Sequence, residues 1–477
     1  MSDDASLRNS PDYSPMDNES EQGLKKTASR WSTARYHVYS FRYLLGLMAI
    51  GTLQSTISPS VPYIENTFFA EKYGGDDCEA HPSSDPCRKG ATDAAQIGSF
   101  TNAAAHAAAM FMAVCLGSYS DSLGRRPMLR IYGAAMLVPT LALALHVCGG
   151  VTLWLYLILH TVVEAFDING VYLAMMSDII EDPQERAAAF GTFMAAAMIL
   201  FVAGMPLGYV ISRGVALAIS VAAGMARLAY LFLIFPETSR KATQQQSPVQ
   251  KNPLQTMISA CSLLSKNAFA RRLACVLVCS GIGSAGYGVA LPPFMMGYLG
   301  YTRSNKLVLM CVAAVSALVA FGVLLGPLVK ALGQVRTLQL CLAASAAVPL
   351  LTAVCKDQWQ LGVLTPILVC PVVMSIPLVS ALKSAVVSSR DQGLIQGAVA
   401  SMTKGAATAG SLIFGSVFAA TTGGGKANST GAVLPCFALV ACIYALAAGM
   451  ACTLPTVPPP ASDSADAAEV ELAGAFS

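Results

Sequence analysis

The sequence predicts an all-α integral membrane protein, with twelve transmembrane helices arranged as two parallel six-helix bundles. Three observations lead there. Only 12% of the 477 residues are charged while 55% are hydrophobic, about half the charge content of a soluble domain. Twelve apolar stretches can be marked along the chain, each near the roughly 20 residues a helix needs to cross about 30 Å of hydrocarbon. Finally, landmarks of the first half recur in the second.

The elements follow in order. Residues 1–35 are polar, rich in Ser, Asp and Asn, and carry no apolar core or cleavage site of a signal peptide; they read as a disordered cytoplasmic arm. Apolar cores follow at 43–65, 94–117, 128–149, 152–177, 188–212 and 214–235, and then at 273–298, 307–329, 337–355, 361–383, 395–419 and 431–453. Gly and Pro interrupt several of them, as transmembrane helices tolerate. The expected organisation is a bundle over 36–236, a cytoplasmic loop over 237–270, a second bundle over 271–455 and a disordered cytoplasmic tail over 456–477. With both termini inside, twenty Lys and Arg fall on the cytoplasmic side and eight on the other, with Arg227 and Lys404 inside spans. That asymmetry sets the orientation. A net charge of +3 gives no reason to expect a nucleic-acid partner.

The internal comparison is the most informative step, because transporter folds are often built from duplicated bundles. Gly117, Gly124 and Leu129 match Gly326, Gly333 and Leu338 at an offset of 209, and Gly191 and Gly204 match Gly397 and Gly410 at 206. Arg42, Gly51 and Pro62 match Arg272, Gly281 and Pro292 at 230. The drop from 230 to 209 leaves about 21 extra residues in the first half, within the loop FFAEKYGGDDCEAHPSSDPCRKGATD. The topology puts this loop outside, where disulfides persist, so Cys78 and Cys87 are expected to pair; two free thiols are the alternative. The remaining cysteines are scattered as small apolar fillers, and no set has metal-ligand spacing.

Within the fourth span, His160, Glu164 and Asp167 share one face, since positions i, i+4 and i+7 fall within an arc of about 60°. Glu164 lies about ten residues in, near the bilayer midplane. A carboxylate there is costly against lipid and must face protein or a watery cavity. Such a group can alternate between protonated and ionised forms as a cavity opens and closes, which is what proton coupling requires. Two other readings stay open: a structural ion pair with Arg227, and direct binding of a cationic solute. Lys404 is a candidate for an anionic solute group or a snorkelling lysine. Gln54, Asn102 and His106 also look inward by the same cost argument, with His106 either a proton relay or an interhelix hydrogen bond. The seventh span (GIGSAGYGVALPP) and the tenth are Gly- and Pro-rich, as cavity-lining helices are; Tyr287 there either contacts solute or packs.

The stretch Gly117-Ser-Tyr-Ser-Asp121-Ser-Leu-Gly124-Arg125-Arg126 resembles the signature loop of the major facilitator superfamily. Asp178 through Arg186 resembles the segment closing its fourth helix. Gln396-Gly397 resembles the opening of the eleventh helix in the tetracycline-antiporter and proton-coupled folate-transporter branches, and Phe235-Pro236-Glu237-Thr238 resembles the end of the sixth. The resemblance spans about residues 36 to 455 and implies the major facilitator fold. It also implies a cytoplasmic latch in which Gly117, Asp121, Gly124, Arg125, Arg126, Asp178 and Arg186 hold the halves together; an ordinary positive-inside loop is the alternative. Two departures stand out. The fifth-helix motif of drug antiporters appears only as Gly204-Met-Pro206-Leu-Gly208, and Leu159 and His160 occupy the neighbourhood of a familiar fourth-helix arginine.

Enzymatic function is not expected. The segment TTGGGKANST (421–430) has Ala420 and Ala427 where a phosphate-binding loop needs Gly and Ser or Thr, and no nucleophile triad or metalloprotease motif is present. Asn428 begins a glycosylation sequon in the same loop. The reading is a secondary transporter of a small organic solute, proton-coupled, working by alternating access, with no cofactor or metal. Its expected partners are the solute, protons and the lipid bilayer, and it is expected to be a monomer. A facilitative uniporter with structural carboxylates, or a non-transporting receptor or scaffold of the same fold, are the alternatives.

Overall fold

The computed structural model describes residues 38–75, 77–166, 206–237, 268–386, 392–422 and 433–455, together with Tyr36 and parts of 168–204. The described elements are helical. Nine helical stretches among the described residues are long and apolar enough to cross a membrane, and the shorter apolar helices Leu153–Glu164 and Ala196–Val210 join them.

The expected first span, 43–65, is longer and broken. Helix α1 (Arg42–Gln54) gives way to a 3-10 turn at Ser55–Ile57, and α2 (Val61–Ala70) resumes with Pro62 in its first turn, the helical run continuing to Tyr73. Pro59 and Pro62 force the break, since proline cannot donate to the helical ladder. Freed polar groups find partners on a neighbouring helix: the Ile57 amide donates to Ser220 Oγ at 3.1 Å, and Thr56 Oγ1 to the Ala216 carbonyl at 3.2 Å. Such compensation is what allows a broken helix at membrane depth.

Helices α3 (Asp85–Leu123), α4 (Arg125–Val147) and α5 (Leu153–Glu164) follow, then the single turn α6 (Leu207–Val210) and α7 (Arg213–Leu233). The second half comprises α8 (Ala268–Pro293), α9 (Arg303–Val319), α10 (Leu325–Leu332), α11 (Gln334–Ala353), α12 (Gln358–Val386), α13 (Gln392–Thr422) and α14 (Leu434–Cys452). One π-helical turn extends α8 at Phe294–Tyr298, after Pro292 and Pro293, and another joins α9 to α10 at Ala320–Leu324.

Buried apolar side chains separate by half. Phe41, Leu47, Leu129 and Phe235 centre one core at the signature-loop end of the N-terminal half, and Ile64, Leu143, Leu153 and Tyr156 centre another at the opposite end. The C-terminal half has a matching pair, around Leu273, Leu338 and Leu382 and around Phe294, Phe414 and Phe437. The halves meet chiefly where α3 runs antiparallel to α13: Thr92 lies 3.4 Å from Thr422, and Ser401 Oγ donates to the Met110 carbonyl at 3.2 Å. Between them, a Cβ added at Gly415 would collide with Ser99 Oγ. Close backbone approach through small residues is the usual source of helix packing in lipid.

The stretch between α2 and α3 contains a Cys78 to Cys87 disulfide with a Cα–Cα distance of 5.5 Å. This end of the molecule is called the disulfide end below.

Candidate functional site

Helix α5 carries the candidate site. Leu153, Tyr156, Leu157 and Val163 are buried, while Trp154, Leu155, Ile158 and Val162 are exposed. At about 100° per residue, these two groups take opposite sides of the helix, and His160 and Glu164 fall within the buried group's arc. Yet the His160 side chain is 46% exposed and Glu164 49%. His160 and Glu164 are thus exposed on the arc of α5 that otherwise packs against protein. Toward the disulfide end the arc is packed; at His160 and Glu164 it opens.

His160 Nε2 lies 3.7 Å from Glu164 Oε1, and the His160 ring centroid is 5.4 Å from that of Tyr156. Tyr156 is within electrostatic reach of Glu164 and also of Glu65 on α2. Glu65 is a member of the cluster that sequence reasoning passes over, because it sits at the very edge of the expected first span. Its signal was present: a carboxylate well inside the helical run Arg42–Tyr73 carries the same membrane cost as Glu164.

Arg227 is not the partner of Glu164. Its Nη1 donates to Gln54 Oε1 at 3.2 Å, its Nη2 to the Tyr172 hydroxyl at 3.2 Å, and its guanidinium carbon lies 5.4 Å from the Tyr132 ring centroid. Gln54 donates in turn to the Met136 carbonyl at 3.4 Å. Gln54 and Arg227 are each 7% exposed and face each other. They form a polar layer between the two apolar cores of their half. Arg227 Nε has no hydrogen-bond partner among the described residues.

Other expected residues are dispersed. Asn102 is exposed and His106 half-buried on α3, and Lys404 is half-buried on α13. Tyr287 packs inside the C-terminal half, its hydroxyl 2.9 Å from Thr352 Oγ1 and its ring edge-on to Phe437. Asp167, Asp178 and Arg186, the side chains of Gly117's neighbours and of Asp121, and the 423–432 loop with Asn428 lie outside the described residues.

At the signature loop, Gly124 has φ 96°, a region that an L side chain rarely adopts. The backbone amides of Arg125 and Arg126 donate to Glu237 at 2.9 and 3.1 Å. A carboxylate on the free amides of a helix N-terminus is favourable in charge and in hydrogen bonding. From the same end of α4, Arg126 Nε and Arg130 Nε each donate to the Leu231 carbonyl at 3.2 Å. The start of α4 and the end of α7 therefore satisfy one another's orphan groups. Glu237, quoted from the sequence only as part of a helix ending, has this bracing role.

With this geometry in hand, the family can be settled. A family model described as Major Facilitator Superfamily matches residues 43–411. The chain belongs to this family. No curated protein sequence matches it, but solved structures do. The human organic anion transporter MFSD10 (TETRAN) superposes with a TM-score of 0.59 at 15% identity, over 86% of this chain and 99% of that one. A mutant of the nucleoside transporter NupG gives 0.60 at 15% identity over 86% and 99%. A bacterial homologue of the human lysosomal transporter Spinster, in an inward-facing and occupied conformation, gives 0.55 at 13% identity over 87% and 96%. As a major facilitator protein, the chain is a multi-pass membrane transporter and not an enzyme. The two branches suggested by Gln396-Gly397 have no counterpart among these structures.

Proposed function

We propose that this major facilitator protein is a secondary active transporter, in which His160 and Glu164 take up and release the coupling proton while a small organic solute crosses. The observation that carries the reading is their exposure on the otherwise buried arc of α5, which we read as opening on a watery cavity within the protein. A carboxylate committed to bracing the fold would be paired and covered; Arg227, the cation that could have covered it, is engaged with Gln54 and Tyr172. Glu65 and Tyr156 extend the titratable cluster toward the disulfide end.

The Lys and Arg asymmetry supports both termini in the cytoplasm, and the disulfide supports the same orientation, since disulfides persist in oxidising compartments. The solute is assigned to the space between the halves, within reach of Asn102, His106 and Lys404. Organic anions and nucleosides, the solutes in the names of two structural neighbours, head the panel to test, followed by folates, sugars, amino acids and cationic drugs.

The test is proton movement in proteoliposomes holding a pH-sensitive dye. Collapse of an imposed pH gradient on addition of one solute, in step with that solute's accumulation, is the expected result. Solute flux with no proton movement would establish a uniporter and leave the α5 pair without a coupling role.

A further inference from the structure

The disulfide end carries a second charged cluster, on residues that proton coupling does not use. Cys78 is fully buried and joined to Cys87 at the start of α3, and its amide donates to Thr67 Oγ1 of α2 at 3.1 Å. Acidic residues flank it. Glu79 Oε2 accepts from Arg213 Nη2 at 2.6 Å and from Nε at 3.0 Å, and Asp77 Oδ1 lies 3.4 Å from the same Nη2. Arg213 begins α7, so these contacts stay inside the N-terminal half. The other oxygen of Glu79, Oε1, lies 3.4 Å from Nη1 of Arg303, the first residue of α9 in the C-terminal half. Arg303 is 8% exposed and donates through Nε to the Gly208 carbonyl of α6 at 3.1 Å, with Nη2 on the same oxygen.

More bonds cross between the halves nearby. The Tyr63 hydroxyl donates to the Tyr301 carbonyl at 2.9 Å, and the Lys306 ammonium sits 5.0 Å from the Tyr63 ring centroid. Tyr301 is itself fixed, its hydroxyl donating to the Gln358 carbonyl at 2.7 Å; burial pushes that phenol up to about 12, so it remains a donor. Every one of these contacts lies at the end where α5 is packed, opposite to the end where His160 and Glu164 open.

The geometry points to Glu79 as the positioning residue that holds the disulfide end shut while the cavity is open toward the other side. For the halves to rock about α3 and α13, Arg303 must leave Glu79 and Gly208. When it does, Arg213 still neutralises Glu79 with two hydrogen bonds, so the half-buried carboxylate is not left without a cation and opening is not prohibitive. The disulfide, tied to both α2 and α3, fixes where Glu79 waits, which restores the closed state without a search by a free loop. This assignment stands whichever ion drives transport, because it concerns only the alternation of the two ends.

Hydrogen–deuterium exchange of the full-length protein in lipid nanodiscs tests it, comparing wild type, Glu79→Gln, Arg303→Gln and the double variant, and wild type treated with a phosphine reductant. Glu79→Gln is expected to speed exchange in 61–70 and 294–306 by about fivefold and to slow it in 125–132 and 334–340 as the population shifts. The double variant should fall short of the two single effects summed, since the Glu79–Arg303 bond is lost in each single already. Reduction should act in the same direction on wild type and add little to Glu79→Gln. An unchanged disulfide end in Glu79→Gln, or faster exchange at both ends together, would overturn the assignment. Should Arg303→Gln fail to fold, the reduction of wild type still decides, because it needs no substitution.

Discussion

In the N-terminal half, Gln54 of α1 accepts a hydrogen bond from Arg227 of α7 at 3.2 Å, both buried; in the C-terminal half the residue 230 positions later is Ser284 of α8, exposed and within electrostatic reach of Tyr444 of α14. The same pair of helices meets at the same point of the repeat, once around a buried charge and once without one. The signature loops show the same relation. Gly124 and Gly333 have φ 96° and 81°, so the offset of 209 preserves a backbone turn. Around Gly124, however, Arg125 and Arg126 meet Glu237, whereas Gln334 and Val335 follow Gly333. At these two points the geometry is shared, and the first half carries the ionisable groups. His160, Glu164 and Glu65 lie in that half too.

The comparison can be broken at three points. Gln54→Leu should cost most, about 2–3 kcal/mol, because it removes a bond to a buried guanidinium, while Ser284→Ala, at an exposed hydroxyl, should cost no more than about 0.5 kcal/mol. Thermal unfolding in detergent, followed by intrinsic fluorescence, would rank the two; equal losses would mean that the charged layer is no more demanding than the neutral one.

The glycines come next. Alanine at either position pays for a positive φ, about 1–2 kcal/mol. At Gly124 its Cβ would also fall 2.9 Å from Glu237 Oε2, whereas nothing lies within 4 Å at Gly333. Gly124→Ala should therefore lower the unfolding midpoint more than Gly333→Ala, and adding Glu237→Ala to Gly124→Ala should cost less than the two losses summed. Strict additivity would show that Glu237 does not press on this turn. Last is Glu237→Gln, which leaves one oxygen to accept from the Arg125 and Arg126 amides, turns the other acceptor into an NH2 donor and removes the charge at the α4 terminus, about 1 kcal/mol; the same assay at low and high salt should show the charge-dependent part shrinking as salt rises.

Much of this organisation was legible in the sequence. Apolar lengths marked the helices because the bilayer imposes them, and the offsets of 230 and 209 anticipated the two matching turns. The cost of a buried charge singled out Gln54, Arg227, His160 and Glu164. Partner choice was not legible: Gln54 and Arg227 are 173 residues apart, and only the packing of α1 on α7 brings them together, so that Arg227 is taken from Glu164. The break after Gln54 was hidden because Pro59 and Pro62 are as compatible with a kinked helix as with two helices. Arg303 and Glu79 were not singled out, since nothing local in the sequence reveals that the start of α9 meets the loop between α2 and α3.

The central claim is that the half-exposed carboxylate of α5 couples solute to protons, and Glu164→Gln tests it most directly. Proteoliposomes of wild type and variant would be given the solute identified by gradient collapse, and two quantities read: accumulation driven by a pH gradient, and exchange of labelled for unlabelled solute with no gradient. The account predicts that accumulation falls to the level of protein-free vesicles while exchange survives. Equal accumulation by both proteins would contradict it and remove Glu164 from the mechanism.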